Sequence, residues 1–141
     1  MSLRRALVVS VVVLLVLDLI GGIVAVASDV NDWSEAWSGN ARLAAPWPMI
    51  LLQVCALGLA VAFSRPWAIV GATILALACL ASALSGFFDG AFAAGELGPG
   101  QVAFQVVLLA WTAVVGVVAA AFTVSLVRRS PRRAADSPAG G

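Results

Sequence analysis

The stretch RRALVVSVVVLLVLDLIGGIVAVA, residues 4–27, decides the fold class of this chain. Two arginines precede an apolar run at about 6–27, and about 20 apolar residues are enough for a helix to cross the hydrocarbon core of a bilayer. Three more apolar stretches follow, at about 47–63, 67–87 and 101–127. The sequence therefore predicts an all-α membrane protein, folded as a four-transmembrane-helix bundle.

The composition agrees with a membrane protein and leaves no room for a separate soluble domain. Of the 141 residues, 62% are hydrophobic and 11% are charged, whereas soluble domains carry about 25% charged residues. We expect one transmembrane domain over 1–127, with membrane lipids as its surroundings. Nucleic-acid binding needs a basic face or a stacking platform, and the sequence offers neither.

The arginines predict the orientation of the chain. Seven of the eight basic residues lie before the first stretch, between the second and third, or after the fourth; these are Arg4, Arg5, Arg65, Arg128, Arg129, Arg132 and Arg133. Because cationic loops are retained in the cytoplasm, both termini are predicted to be cytoplasmic. Residues 128–141 read as a disordered basic tail. The Ala, Val, Gly and Arg bias without Lys indicates a bacterial plasma (inner) membrane.

A signal peptide is a competing interpretation of the first stretch. Residues 1–5 resemble its basic beginning, and Ala25-Val26-Ala27 has the small-x-small form of a cleavage site. The apolar run is longer than the ~7–15 residues usual in signal peptides, and it contains Asp18. We therefore expect a retained span, while cleavage would leave three spans and remove Asp18.

The first outer loop, residues 28–46, is polar and acidic. Asp32 followed by Glu35 fits a variant of the capping box that begins a helix. Trp33 and Trp37, four residues apart, would share one face of such a helix. The pattern predicts a short interfacial helix with both indoles in the headgroup region.

Small residues recur at helical spacing in every apolar stretch. Since hydrophobicity does not drive helices together in lipid, close contact of small residues does. The pairs include Gly21 with Ala25, Ala56 with Ala60, Ala68 with Ala72, and Gly116 with Ala120. These faces favour a compact bundle, a homo-oligomer or docking against a larger partner.

Polar residues cluster in the predicted outer half of the membrane. The candidate site consists of Asp18, Gln53, Ser82, Ser85, Asp89 and Gln105. If their helix faces converge, they line a polar pocket that opens outward, with Asp18 at its floor. The alternative is ordinary hydrogen bonding between helices, which contributes only ~0.6 kcal/mol per bond on average.

Asp18 is the strongest single candidate. A charged aspartate at the centre of a membrane helix costs about 2.5–3.5 kcal/mol on the insertion scale. Protonation, a cation or a wet cavity would relieve that cost. No Lys or His occurs, and every arginine is predicted at a loop or terminus. Protonation, or water and amide partners such as Gln53 and Gln105, is therefore the expected solution.

No catalytic constellation is visible, because the chain has no His, Tyr or Lys and no nucleophile–base pair. We expect no cofactor and no metal, and an enzyme is the least favoured class. The leading hypothesis is a small membrane protein that acts by association, as a homo-oligomer or an accessory subunit of a larger membrane complex. The alternative is a proton-coupled transporter or small-solute-binding protein that uses Asp18.

Overall fold

The chain is all-helical over the residues that the computed structural model describes, which are 2–39, 41, 43–88 and 98–128. The four helices are α1 (Leu3–Ala27), α2 (Trp47–Ala62), α3 (Arg65–Phe88) and α4 (Pro99–Arg128). The helices α1, α3 and α4 are long and apolar enough to cross a membrane. The predicted helical class is confirmed, with every helix boundary within three residues of its predicted position.

Helix α2 is shorter than the other three. Its 16 residues span about 24 Å at 1.5 Å per residue, against a hydrocarbon core of about 30 Å. Its start is fixed by Pro46, which has an extended backbone conformation with ψ of 149°, and a residue before proline, here Ala45, is disfavoured in a helix. Length and composition therefore support three membrane-spanning helices and one shorter apolar helix.

The helices pack in a ring in which α3 touches both α2 and α4, and α1 packs mainly on α4 and only slightly on α2. We call the end of the bundle with the start of α1, the end of α4 and the α2–α3 turn the terminal end, and the opposite end the loop end. The core of the terminal half is apolar and fully buried, and includes Leu7, Val11, Leu14 and Val115. The indole Nε1 of Trp111 on α4 donates a hydrogen bond of 3.0 Å to the Ser10 carbonyl on α1.

Close packing of small residues brings α2 against α3. A Cβ added to Gly71 would lie 2.6 Å from the carbonyl oxygen of Ala56 and the amide nitrogen of Ala60. The predicted contact face of α2 is thus in place. The sequence predicts a helix contact at Gly21, but its nearest neighbour is the loop: an added Cβ would lie 1.9 Å from the carbonyl oxygen of Leu43. The small size of Gly21 admits the loop backbone, beside the Phe104 ring of α4, which would lie 3.0 Å from the added Cβ.

Residues 28–46, which we call segment L1, connect α1 to α2. Asp29 has a positive φ of 55°, a conformation that Asp tolerates better than most residues and that ends helices. Residues 33–37 form consecutive turns, in which Ala36 donates to the Asp32 carbonyl at 3.0 Å. The predicted interfacial helix is not confirmed, because these turns do not continue into a regular helix.

The two tryptophans of L1 lie in different surroundings. Their rings meet edge to face with centroids 5.6 Å apart. Trp33 is 67% exposed, whereas Trp37 packs on α1, where a Cβ on Gly22 would lie 2.3 Å from its ring. One indole is therefore available to a headgroup region and the other fixes L1 to the bundle.

Arginines stabilise the terminal end. Arg4 donates a hydrogen bond of 2.5 Å to the Val61 carbonyl in the last turn of α2, and Arg65 donates to the Leu126 carbonyl in the last turn of α4. A cation near the C-terminus of a helix also interacts favourably with the helix dipole. The predicted tail, Asp89 and Arg42 lie outside the described residues, apart from Arg128, which ends α4.

Candidate functional site

A cavity of about 280 Å³ lies at the loop end, between the helices and the second half of L1. This volume is close to the lower end of the ~300–1,000 Å³ typical of small-molecule sites. Its polar lining residues are Asp18, Gln53, Ser82, Ser85, Gln105 and Thr112, and its apolar lining includes Leu43, Met49, Leu108 and Leu109.

Five of the six predicted site residues line this cavity, from all four helices. Asp18 comes from α1, Gln53 from α2, Ser82 and Ser85 from α3, and Gln105 from α4. The sixth, Asp89, lies outside the described residues. The polar faces that the sequence places in one half of the bundle therefore meet around one space.

Asp18 is 2% exposed, and its two carboxyl oxygens differ. Oδ1 accepts a hydrogen bond of 3.0 Å from the backbone N–H of Ala45 in L1. Oδ2 is buried and has no hydrogen-bond partner within the described part of the chain. The close approach of L1 depends on Gly21, one turn further along α1, where any Cβ would meet the Leu43 carbonyl.

The two amides of the cavity present a similar arrangement. Gln53 is 2% exposed and Gln105 is 8% exposed, and the Oε1 atom of each is buried without a hydrogen-bond partner among the described residues. Leaving a buried acceptor unsatisfied costs about 1–3 kcal/mol. Three such oxygens, counting Asp18 Oδ2, indicate a cavity that holds water or a ligand able to donate hydrogen bonds.

Two of the three hydroxyls in the lining already use their donor within a helix. Ser85 Oγ donates to the Ser82 carbonyl at 3.1 Å, and Thr112 Oγ1 donates to the Leu108 carbonyl at 2.8 Å. A hydroxyl has one donor and two lone pairs, so these two offer a ligand acceptor capacity. Gln101, one turn from Gln105, instead accepts the Gly98 N–H at 2.8 Å and caps α4.

One wall of the cavity comes from the second half of L1, which the sequence analysis did not assign to the site. Leu43 is 1% exposed and Ala44 is 8% exposed, and Leu43, Ala44, Ala45 and Pro46 all line the cavity. This wall occupies the space where α1 and α2 contact each other little. The sequence feature that could have identified this wall is the apolar run Leu43-Ala44-Ala45 within an otherwise polar loop.

Asp18 is the only charged side chain among the described residues that line the cavity. No group of three or more His, Cys, Asp or Glu side chains in the described ranges could hold a metal ion. The site therefore combines one carboxylate with two carboxamides, three hydroxyls and apolar walls, and its single negative charge favours recognition of a donor or a cation.

The chain matches no protein-family model, no curated protein and no solved structure.

Proposed function

We propose that this chain is a multi-pass membrane protein whose loop-end cavity binds a small polar solute. The observation that carries the proposal is the set of three buried oxygens, on Asp18, Gln53 and Gln105, that lack hydrogen-bond partners among the described residues. All three side chains line one cavity. Buried polar groups are almost always hydrogen-bonded in native proteins, so their partners come from the contents of the cavity.

The proposed orientation places the loop end outside a bacterial plasma membrane and the terminal end in the cytoplasm. Arg4, Arg5, Arg65 and Arg128 share the terminal end, as expected of cytoplasmic loops. In this proposal all four helices cross the bilayer. Helix α2 is too short to span the hydrocarbon core alone, and the buried L1 residues Leu43 and Ala44 span part of the remaining thickness.

Asp18 couples solute binding to the binding of a proton or a cation. A carboxylate this deeply buried needs a proton or a cation, because an uncompensated buried charge is strongly unfavourable. Solute binding is therefore coupled to the proton or counter-cation of Asp18. The terminal half of the bundle is filled by side chains such as Leu7, Leu75 and Phe122, so this conformation favours solute binding from the loop end. Proton-coupled transport would require the helices of the terminal half to move apart.

The proposal is tested by the chemical accessibility of Ser85 in intact membranes. In a background with Cys55→Ser and Cys79→Ala, Ser85→Cys places a thiol at the exposed edge of the cavity lining. Leu84→Cys, one position earlier and 62% exposed on the outside of the bundle, is the matched control that faces lipid. We expect a membrane-impermeant thiosulfonate reagent to modify Ser85→Cys from the outside and to leave Leu84→Cys unmodified.

Two results would contradict the proposal. If both thiols resist the reagent from the outside and only detergent makes them react, the cavity is not open to water. If both react equally, the face of α3 that carries Leu84 is not embedded in lipid and the bundle is not arranged in the membrane as proposed.

Association is the second candidate function, and a specific observation on α2 favours it. A Cβ added to Gly58 would meet nothing within 4 Å, and Cys55 and Ala62 on the same side of the helix are exposed. This small-residue face points away from the bundle and suits contact with a second copy. Asp18 faces the cavity, so it does not contribute to such a contact.

The native thiols provide the test of association. Oxidation of intact membranes is expected to link two chains through Cys55 if α2 pairs with a second copy, whereas the buried Cys79 does not react. Cys55→Ser should remove the dimer band and Cys79→Ser should keep it. A band that persists without Cys55, or no band at any oxidant concentration, would exclude a symmetric α2 contact.

A further inference from the structure

The unpartnered oxygens also indicate which class of solute fits the cavity. Resting on the proposed function, we propose that the cavity binds a small primary ammonium ion. Its charged group lies at Asp18, Gln53 and Gln105, and its short apolar body lies against Leu108 and Leu109.

Charge favours a cation over an anion. Asp18 is the only charged residue in the described lining, and no arginine belongs to that lining. At 2% exposure its carboxylate receives one hydrogen bond, from Ala45. A buried charge is tolerated when a partner of opposite charge and further hydrogen bonds compensate for lost hydration. A ligand carboxylate or phosphate would add a second negative charge instead.

Hydrogen-bond capacity favours a primary ammonium over other cations. An –NH₃⁺ group has three donors and no acceptor, and the described residues leave three buried acceptors without partners: Asp18 Oδ2, Gln53 Oε1 and Gln105 Oε1. A quaternary ammonium has no N–H to donate. A divalent metal ion takes about six or more oxygen ligands, usually with several carboxylates, and this lining supplies one carboxylate.

The remaining lining defines the rest of the ligand. Leu43, Met49, Leu108 and Leu109 form apolar walls beside the polar group. Apolar walls with a few placed polar groups are typical of small-molecule sites. The volume of about 280 Å³ is close to the lower end of the ~300–1,000 Å³ range of small-molecule sites, which suits a short-chain amine rather than a drug-sized or lipid ligand.

Protection of Ser85→Cys from the impermeant reagent tests the ligand class. The probe is isobutylammonium, compared with its neutral analogue isobutanol, its acidic analogue isovalerate, tetramethylammonium, and potassium chloride at matched ionic strength. We expect isobutylammonium to slow modification in a saturable way and the other four to have little effect. Protection by isobutanol, isovalerate, tetramethylammonium or potassium equal to that by isobutylammonium would overturn the ammonium assignment.

Variants of the acceptors connect protection to named atoms. Asp18→Asn keeps an oxygen for the Ala45 N–H and removes the charge, so it should weaken protection by about 10- to 100-fold, the range for losing a hydrogen bond to a charged group. Gln53→Leu and Gln105→Leu should each weaken it by several-fold. Gln101→Leu, which replaces a glutamine outside the cavity lining, should leave it unchanged. Unchanged protection in Asp18→Asn would overturn the proposal.

Failure of the ligand class and failure of the proposed function give different results. If Ser85→Cys reacts from outside but isobutylammonium does not protect it, the cavity is open and the ammonium assignment is wrong. If Ser85→Cys does not react, the proposed function fails first. Arg42→Gln tests whether the guanidinium of Arg42 compensates the charge of Asp18. If isobutylammonium protects Ser85→Cys only when Arg42 is replaced, that guanidinium already occupies the site, and the proposal is contradicted.

Discussion

The two carboxyl oxygens of Asp18 differ, because one has a hydrogen-bond partner within the fold and the other has none among the described residues. Oδ1 accepts from the Ala45 N–H at 3.0 Å and so attaches L1 to α1. Oδ2 has no partner among the described residues. A substitution that keeps an oxygen at this position should therefore preserve the fold while altering the site, and one that removes both oxygens should affect both.

The first prediction separates these two contributions. Asp18→Leu leaves the Ala45 N–H without an acceptor, and we expect it to destabilise the protein by about 1–3 kcal/mol. Asp18→Asn keeps the acceptor and should change the free energy of unfolding by less than about 1 kcal/mol. Thermal unfolding of the two variants in the same mild detergent checks this. Equal destabilisation by both would show that the carboxylate charge, not the bond to Ala45, is what the fold requires.

At the residue scale, the sequence predicted which side chains meet but not what they bond to. Asp18, Gln53 and Gln105 stand out because polar side chains in apolar helices are costly, and their spacing places them in one half of the bundle. The partner of Asp18 was not predictable, since it is a backbone N–H, and a backbone donor has no signature in the sequence. The structure places it in L1, 27 residues along the chain.

L1 is the element that closes the cavity. Its first half packs Trp37 on Gly22, and its second half places the Leu43 carbonyl against Gly21. Both glycines lie on the face of α1 that L1 covers. The weak contact between α1 and α2 follows from this insertion.

A second prediction tests this packing at Gly21. Gly21→Ala would place a Cβ 1.9 Å from the Leu43 carbonyl oxygen, and because the obstacle is backbone, L1 must move. We expect a loss of about 1–3 kcal/mol, as for other overpacked sites, and faster proteolysis within L1. Gly58→Ala, where the added Cβ meets nothing within 4 Å, is the control. Equal stability of the two variants would mean that L1 does not pack on α1.

A third prediction concerns the terminal end. Arg65 donates to the Leu126 carbonyl of α4, whereas Arg5 is exposed. Removing this part-buried contact should cost roughly 1–2 kcal/mol, because a charged hydrogen bond and a favourable interaction with the helix dipole are both lost. Arg65→Gln and Arg5→Gln, compared by thermal unfolding in detergent, check this. A larger loss in Arg5→Gln would contradict it.

Helices were easier to predict from the sequence than the segment between them. Apolar runs bounded by arginines and prolines fix helices to within a few residues, since bilayer thickness and proline geometry leave little freedom. L1 carries a capping pattern at Asp32 and Glu35, yet it forms turns. Its conformation depends on contacts with Gly21 and Gly22, which local sequence patterns do not encode.

The described part of the molecule has arginines at one end and a cavity with unpartnered buried oxygens at the other. Arg4 and Arg65 bond to helix carbonyls at the terminal end, and the cavity lies at the loop end. In the proposed orientation the cations face the cytoplasm and the cavity faces outward. The short α2–α3 turn and L1 then lie on opposite sides of the membrane.

The fourth prediction tests that orientation with two exposed serines. Ser34 lies in L1 and Ser64 in the α2–α3 turn. In the background lacking native cysteines, an impermeant maleimide added to intact cells should modify Ser34→Cys and spare Ser64→Cys until the cells are permeabilised. The reverse pattern would invert the topology, and modification of both would mean that α2 does not cross the membrane.

The most direct test of the central claim is carbodiimide modification of Asp18 in the unaltered protein in its membrane. A water-soluble carbodiimide is compared with a lipid-soluble one, and the modified peptides are mapped by mass spectrometry. The exposed Asp32 and Glu35 report delivery of the reagent, and Asp18→Asn supplies the blank. We expect the water-soluble reagent to modify Asp18 as well as the exposed carboxylates. Modification by the lipid-soluble reagent alone, with Asp32 and Glu35 fully modified by the other, would contradict the account.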